Sequence, residues 1–234
     1  IRDGVKFSNG KELTASAVVE SIEYMYKQEN SGKGSSAPSV YMKYDSIKAD
    51  DESRTVTIKT SKPHTDLTKT LAHPYFSILD MESDLVNKPV GTGPYKFVSW
   101  DAGQTITMEK NEEYFAGAAN IDTIVFKIVT DDNAKAMQLL SGELDLAQIT
   151  PKEESLFADN DEFKVYDMTT SDYRGILYNF NNEYWQENAD LIPAINYAID
   201  RQAILDAVLL DKGEVAYGPL QRNKYNNEKC IKLR

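Results

Sequence analysis

The sequence predicts a protein of the broad α/β class with a mixed sheet, as in α+β proteins. Amphipathic helices are expected to cover that sheet. Polar and apolar residues alternate along two short segments, 95–100 and 105–110, which turn residues separate. The segment 121–129 is apolar on both faces, as a strand covered on two sides requires. Elsewhere, apolar residues recur at spacings of three and four, which predicts helices. Together these three observations define the fold class.

The first helix is predicted to begin after Thr14, whose hydroxyl suits an N-cap, and to run to about Gln28. Its apolar stripe begins at Val18 and continues at helical spacing. The segment 28–36 contains GKGSS and has no apolar period, so we expect a mobile loop there.

Two short strands are predicted around Ile47 and 56–58, because apolar residues there are flanked by polar turn residues. Residues 66–72 suit a short helix. The run 75–79 is too short and too apolar for a surface helix, and it predicts a buried strand.

The motif PVGTGPY at 89–95 predicts a specific turn. Gly91 and Gly93 allow backbone conformations closed to other residues, and Pro94 fixes its own φ. The hairpin that follows is expected to turn one face toward a core, and the strand at 121–129 is expected to be central in its sheet.

Helix signals dominate the next part of the chain. Asp131 or Asp132 can cap a helix that Gly142 ends, and a strand is predicted over 144–149. Thr150 with Pro151 and Glu153 then marks another helix start. Further strands are predicted near 163–166 and 174–180, and a long helix with an inward apolar stripe over 193–211.

Composition excludes some classes of function. The formal net charge of −11 repels nucleic acid and the anionic face of a membrane. The single cysteine, Cys230, cannot form an internal disulfide. No apolar run approaches the roughly 18 residues that span a bilayer.

The sequence gives little support for catalysis or metal binding. The only histidines, His64 and His73, are nine residues apart, a spacing that no helix or strand turns into a metal pair. No G-x-S-x-G elbow, phosphate-binding loop or calcium loop is present, and the carboxylate clusters are interpreted as caps and solvated faces. We therefore predict no catalytic residues, no metal site and no cofactor.

Four motifs carry a family resemblance. They are IRDGVKFSNGKELTASAVVESI at 1–22, PVGTGPYKFVSW at 89–100, IDTIVFKIVTDDNAKAMQLLSGELDLA at 121–147 and INYAIDRQAI at 195–204. In this order they resemble the peptide/nickel-type extracellular solute-binding proteins called family 5. The resemblance implies a type II periplasmic-binding-protein-like fold, with two lobes and a small subdomain.

The resemblance also implies a division of the chain. The small subdomain would span 1–72, part of the first lobe 73–165, and the crossing strand with the start of the second lobe 166–234. Because family members are about twice as long and residue 1 is Ile, we interpret the chain as an internal fragment that lacks most of the second lobe.

The resemblance gives the candidate ligand-binding residues. The segment Gln148, Ile149 and Thr150 matches the part of the family that lines the cleft from the first lobe. The region where the chain crosses between lobes gives Tyr173, Arg174 and Asn179. Tyr41 and Tyr75 are added because tyrosine offers a broad apolar face with a polar tip, although packing also explains them.

The function implied is capture of a solute in the periplasm or at the extracellular face of the cell membrane, for transfer to the membrane permease of an ABC importer. An oligopeptide or dipeptide is the first choice of ligand, and a nickel chelate is the alternative. Any membrane attachment would come from a lipid anchor on a leader absent from this chain. A secreted hydrolase or peptidase is the competing class, and a structural or adhesive surface domain is a third.

Overall fold

The computed structural model describes residues 1–30, 38–168, 170 and 172–216. The chain divides into two compact units, residues 1–128 and 129–234, and each is considered by itself. Both contain helices, while the strands of the described residues belong to the first unit.

The first unit holds two antiparallel sheets and short helical segments. Its strands are β1 (Tyr44–Asp50), β2 (Thr55–Thr60), β3 (Tyr95–Asp101), β4 (Thr105–Lys110) and β5 (Thr123–Lys127). Its α-helices are α1 (Ala15–Asn30), α2 (Pro38–Tyr41) and α3 (Leu67–Leu71), and a 3-10 helix spans Pro74–Phe76.

The start of α1 confirms the predicted cap. The N–H of Ala17 donates to the Thr14 hydroxyl at 3.1 Å, so the side chain satisfies one of the free amides of the first turn. The helix runs to Asn30, two residues beyond the predicted end, which places 28–30 in the helix instead of the loop. Residues 31–37 of the predicted loop lie outside the described residues.

The hairpin of β1 and β2 confirms the two predicted strands. Ile47 pairs with Ile58, and both are half-buried. They pack against a core of Ile22, Met42 and Phe76, which joins α1 to the hairpin and the 3-10 helix. The apolar stripe predicted for α1 therefore packs against this core.

The prediction of a buried strand over 75–79 is wrong. His73 caps a 3-10 helix in which Pro74 takes the first position, where the missing N–H of proline costs nothing. Phe76 is buried, and Leu79 forms only an isolated bridge with Gly91. An apolar run this short can bury its side chains without strand pairing.

The strands β3, β4 and β5 form a three-stranded antiparallel sheet in that order. A bulge between Phe97 and Ser99 shifts the alternation, because Phe97 pairs with Met108 while Trp100 pairs with Ile106. Trp100 therefore shares a face with Phe97, although simple alternation predicts opposite faces. Trp100, next to the hairpin turn, is 58% exposed, whereas Phe97, farther from that turn, is half-buried.

The predicted central position of the strand at 121–129 is also wrong for the described residues. β5 lies at the edge of its sheet and pairs only with β4. Phe126 and Val125, on opposite faces, are each more than half exposed. Apolar character on both faces shows that a strand tolerates burial, but it does not determine which strands pair with it.

The turn at PVGTGPY is fixed by Asn111, which directly follows β4. Its buried side-chain amide donates to the Gly93 carbonyl at 2.8 Å, and its N–H donates to the Pro94 carbonyl at 2.8 Å. A side chain downstream of the hairpin therefore holds the turn that precedes it.

The second unit contains helices joined by irregular segments. They are α4 (Asp132–Leu140), α5 (Pro151–Glu154), α6 (Glu183–Glu187), α7 (Leu191–Ala198) and α8 (Arg201–Ile204), followed by a π-helix at Leu205–Leu209. Asp131 caps α4 by accepting from the Ala134 N–H at 2.7 Å, and Gly142 follows with φ of 77°, which confirms both predicted ends.

Three strands predicted in this unit are wrong. Residues 144–149, 163–166 and 174–180 have no strand assignment in the structure. A strand needs a neighbour that takes up its backbone hydrogen bonds, and the described residues of this unit offer no paired strand to these segments.

The long helix predicted over 193–211 is interrupted. α7 ends at Ala198, Ile199 is extended, and the Asp200 side chain caps α8 by accepting from the Ala203 N–H at 2.9 Å. Leu205 is buried, but Val208 is 65% exposed, so the predicted inward stripe is only partly covered. The sequence predicts one continuous helix here, whereas the short side chain of Asp200 starts a second one.

Candidate functional site

Two of the predicted ligand-binding residues, Tyr41 and Tyr75, lie together on the first unit with His73. The Tyr41 and His73 ring centroids are 4.5 Å apart with planes at 29°, and those of His73 and Tyr75 are 4.7 Å apart at 20°. The tyrosine centroids are 5.9 Å apart at 38°. We call Tyr41, His73 and Tyr75 the ring cluster.

The ring cluster is a triangle and not a sandwich. The separation of the two tyrosine rings is well below the sum of the other two distances, so they do not lie on opposite faces of the imidazole. Tyr41 is 43% exposed, while His73 and Tyr75 are half-buried. The cluster therefore has a solvent-accessible side.

Local structure explains why the three rings meet. Tyr41 precedes Met42 and Tyr75 precedes Phe76, and both of these following residues are buried in the same core. The phenol of Tyr26 donates to the Met42 carbonyl at 2.5 Å, which fixes the end of α2. Nδ1 of His73 accepts from the Tyr75 N–H at 3.4 Å, a long bond that still holds the imidazole beside Tyr75.

His73 is absent from the ligand-binding residues that the sequence predicts, because its spacing from His64 indicates an ordinary surface or packing histidine instead of a metal ligand. The signal available was local, because His73 directly precedes a proline and lies two residues from Tyr75. The contact with Tyr41 comes from tertiary packing, and sequence spacing does not reveal it.

Gln148, Ile149 and Thr150 lie in the irregular segment that leads into α5. Gln148 is exposed, and the other two residues are half-buried. The Thr150 hydroxyl bonds directly to the carboxylate of Glu153, which is itself buried, instead of capping a backbone N–H. The predicted helix start is confirmed, and Gln148 is the member of this segment most open to a ligand.

Tyr173, Arg174 and Asn179 are all exposed on the second unit. The Tyr173 ring lies over Gly175, where an added Cβ would be 2.7 Å from Cε1 of the ring, so a side chain at 175 would displace the tyrosine. The Asn179 side-chain carbonyl accepts from the Asn181 N–H at 3.0 Å, which engages it in a local turn.

The two histidines have separate surroundings. Nε2 of His64 lies 2.9 Å from the Thr70 hydroxyl, whereas His73 belongs to the ring cluster. Within the described part of the chain, no group of three or more His, Cys, Asp or Glu side chains is arranged to hold a metal ion. Over the same residues, no helix has both the length and the apolar character needed to cross a bilayer.

The structure has the mixed helix and sheet architecture expected of a solute-binding protein, and comparison with known proteins identifies the family. Residues 1–231 match the profile described as bacterial extracellular solute-binding proteins, family 5 middle. The chain belongs to this family.

Two similar proteins carry different ligand names. The oligopeptide-binding protein AppA of Bacillus subtilis is 29% identical over 245 residues, covering 99% of this chain and 44% of AppA. The nickel-binding protein NikA of Staphylococcus aureus is 29% identical over 222 residues, covering 94% of this chain and 43% of NikA. The chain thus spans less than half the length of these relatives.

Solved structures of solute-binding proteins also match most of this chain. The structure of B. subtilis AppA in complex with a nonapeptide matches 97% of this chain and 46% of AppA, with a TM-score of 0.78 and 29% identity. That of NikZ from Campylobacter jejuni in complex with Ni(L-His) matches 95% of this chain and 45% of NikZ, with a TM-score of 0.83 and 27% identity. These neighbours confirm the predicted type II periplasmic-binding-protein-like fold.

Proposed function

We propose that this chain serves in the substrate-binding component of an ABC importer that captures oligopeptides or dipeptides outside the membrane. The observation that carries the proposal is the match of 97% of the chain to a peptide-binding protein whose structure includes a nonapeptide. The match of residues 1–231 to a family of extracellular solute-binding proteins also supports a binding role.

The mechanism proposed is closure around the solute. A ligand that contacts both lobes favours the closed state by the difference between its affinities for the closed and open forms. No bond in the solute needs to be broken. Within this proposal, residues 1–72 act as the small subdomain, 73–165 as part of the first lobe, and 166–234 as the crossing strand with the start of the second lobe.

The ligand contacts proposed are those of the candidate site. Tyr41 and Tyr75 would provide apolar faces with polar tips. The exposed Gln148 and Arg174 would donate hydrogen bonds to peptide carbonyl or carboxylate groups, and Arg174 can do so with two parallel bonds. The remaining members proposed are Ile149, Thr150, Tyr173 and Asn179.

A secreted peptidase is the competing class of function. Such an enzyme needs a nucleophile and a base within hydrogen-bond reach in one cleft. His64 lies within hydrogen-bond reach of the Thr70 hydroxyl, but this pair is not among the candidate ligand-binding residues, and His73 packs against two tyrosine rings. The named relatives are solute-binding proteins, and this also supports binding without conversion.

A nickel chelate is the second candidate ligand. The observation that favours it is the TM-score of 0.83 with NikZ in complex with Ni(L-His), which exceeds the 0.78 obtained with AppA. The identities of 27% and 29% are too similar to separate the two ligands. We give the peptide first place because AppA matches the larger share of the chain.

We further propose a membrane permease as the partner and the periplasm or the extracellular face of the cell membrane as the location. Solute capture for import requires both, because the bound solute has to pass to a channel from outside. Both follow from the family and belong to the same proposal.

Isothermal calorimetry on the complete gene product tests the proposal. A pool of dipeptides and oligopeptides should give saturable heat, and nickel with L-histidine should not. The variants Gln148→Ala and Arg174→Ala should weaken peptide binding, whereas Gln202→Ala, which removes an exposed glutamine bonded to Asp206, should not. If only nickel with L-histidine gives heat of binding, the second candidate is favoured. If neither solute gives heat of binding, import of both is contradicted.

A further inference from the structure

The ring cluster has the properties of a binding surface for a flat apolar group. The planes of its three rings make angles of 20° to 38° with one another, so the ring faces point in similar directions. Aromatic pairs gain from offset and edge arrangements beyond the area that they bury. The exposed fraction of Tyr41 leaves this gain available to a further ring.

The cluster is also held in place before any ligand arrives. Met42 and Phe76, each next to a tyrosine of the cluster, are 1% and 3% exposed in one core. His73 caps the 3-10 helix that carries Tyr75. A surface whose rings are already ordered costs less conformational entropy when it binds a ligand.

We propose that His73 is a specificity-determining residue, which together with Tyr41 and Tyr75 binds the aromatic side chain of a peptide ligand. This inference rests on the proposed peptide-binding function and names the class of peptide that the site prefers. The imidazole is the ring nearest to each of the two tyrosines, so its removal leaves only the wider contact of 5.9 Å between the tyrosine rings.

Two substitutions separate the ring of His73 from its capping role. His73→Asn removes the ring but retains a side-chain acceptor suited to capping the Tyr75 N–H. His73→Phe keeps a ring and removes the acceptor. His64→Ala is the matched control, because this second histidine of the same unit contacts Thr70 and no ring of the cluster.

The experiment measures the dissociation constants of Ala-Phe-Ala and Ala-Leu-Ala for the complete gene product and each variant, with thermal unfolding as the check of folding. We expect the wild-type protein to prefer Ala-Phe-Ala by roughly three- to tenfold, the gain typical of one aromatic contact. His73→Asn should lower this preference, while His73→Phe and His64→Ala should retain it.

The outcomes distinguish the inference from the function on which it rests. Binding of both peptides with the same ratio in the wild type and in His73→Asn would overturn the role of His73 and leave peptide capture intact. Loss of the preference in His73→Phe but not in His73→Asn would also overturn it, since capping would then be the property that matters. Failure of the wild-type protein to bind either peptide would overturn both proposals.

Discussion

Nζ of Lys11 lies 3.0 Å from Oδ2 of Asp80, and this ion pair joins the start of the chain to the segment that precedes the PVGTGPY turn. Asp80 is 6% exposed, and the same oxygen accepts from the Asn9 side-chain amide at 2.7 Å. The Ser8 N–H reinforces the junction by donating to the Gly91 carbonyl at 2.9 Å. A buried carboxylate therefore ties two distant segments of the first unit together.

Replacing Asp80 should destabilise the first unit. Asp80→Ala leaves the Asn9 amide without its acceptor and removes one of the two carboxylates that Lys11 contacts, and we expect a loss of about 1–3 kcal/mol in the free energy of unfolding. Urea unfolding monitored by circular dichroism provides the measurement. Glu82→Ala is the matched control, because Glu82 contacts the same lysine but is largely exposed, and it should cost no more than about 0.5 kcal/mol.

The stability contributed by Asp80 should disappear in acid. Burial opposes ionisation of this carboxyl group, but hydrogen bonds from Lys11, Asn9 and the Glu82 N–H outweigh burial and hold its pKa below the ordinary value. A lowered pKa in the folded state gives stability that is present above the unfolded pKa of about 3.9 and is lost as the pH falls through the folded pKa.

Urea unfolding at pH 7 and at about pH 3 checks the direction of this effect. The wild-type protein should be more stable than Asp80→Asn at pH 7, and the difference should shrink in acid as the carboxyl group takes up a proton. An equal difference at both pH values would show that the ionised form of Asp80 is not what stabilises the junction.

Tyr26 should give the first unit a dependence on alkaline pH. Burial, followed by the nearby Tyr44 and Glu29, raises the pKa of Tyr26 to about 12. Because this pKa is raised in the folded state, its stabilising effect is complete below the unfolded pKa of about 10 and is lost as the pH rises toward the folded value.

The measurement is the free energy of unfolding between pH 9 and pH 11.5, a window set by roughly the unfolded and folded pKa values. Tyr26→Phe should be less stable than the wild type at the lower pH, because the hydrogen bond to the Met42 carbonyl is lost, and its stability should fall less steeply with pH. Parallel pH profiles for the two proteins would contradict the raised pKa.

Gly142 should tolerate asparagine better than alanine. Its φ of 77° lies in the left-handed region at the end of α4, where a Cβ is strained and only glycine or, less well, asparagine is common. We expect Gly142→Ala to cost about 1 kcal/mol and Gly142→Asn to cost less. Beyond its chain neighbours, no described residue has an atom within 4 Å of an added Cβ, so thermal unfolding of the pair isolates backbone strain from crowding.

The local part of the fold could be predicted well from the sequence. Thr14 and Asp131 cap helices because short side-chain acceptors reach the free amides of the first turn, and Gly142 ends one because it adopts positive φ without cost. The hairpin around residues 101–104 was predicted from the alternation of polar and apolar residues in its strands and from the turn residues between them. Each of these signals acts within a few residues of its effect.

Pairing between segments could not be predicted in the same way. The apolar character of 121–129 was recognised, but the sequence did not reveal that β5 lies at an edge. The bulge that places Trp100 beside Phe97 was also missed, because an inserted residue changes the register without changing the alternation of residue types.

For the candidate site, the sequence by itself identified the family and predicted Tyr41 and Tyr75 as ligand contacts, because motifs and residue types are properties of short segments. Only the tertiary structure decided that His73 joins these tyrosines in one ring cluster. The physical reason is that Met42 and Phe76, distant in sequence, are buried in the same core, and burial of each residue brings its neighbouring ring to the same surface.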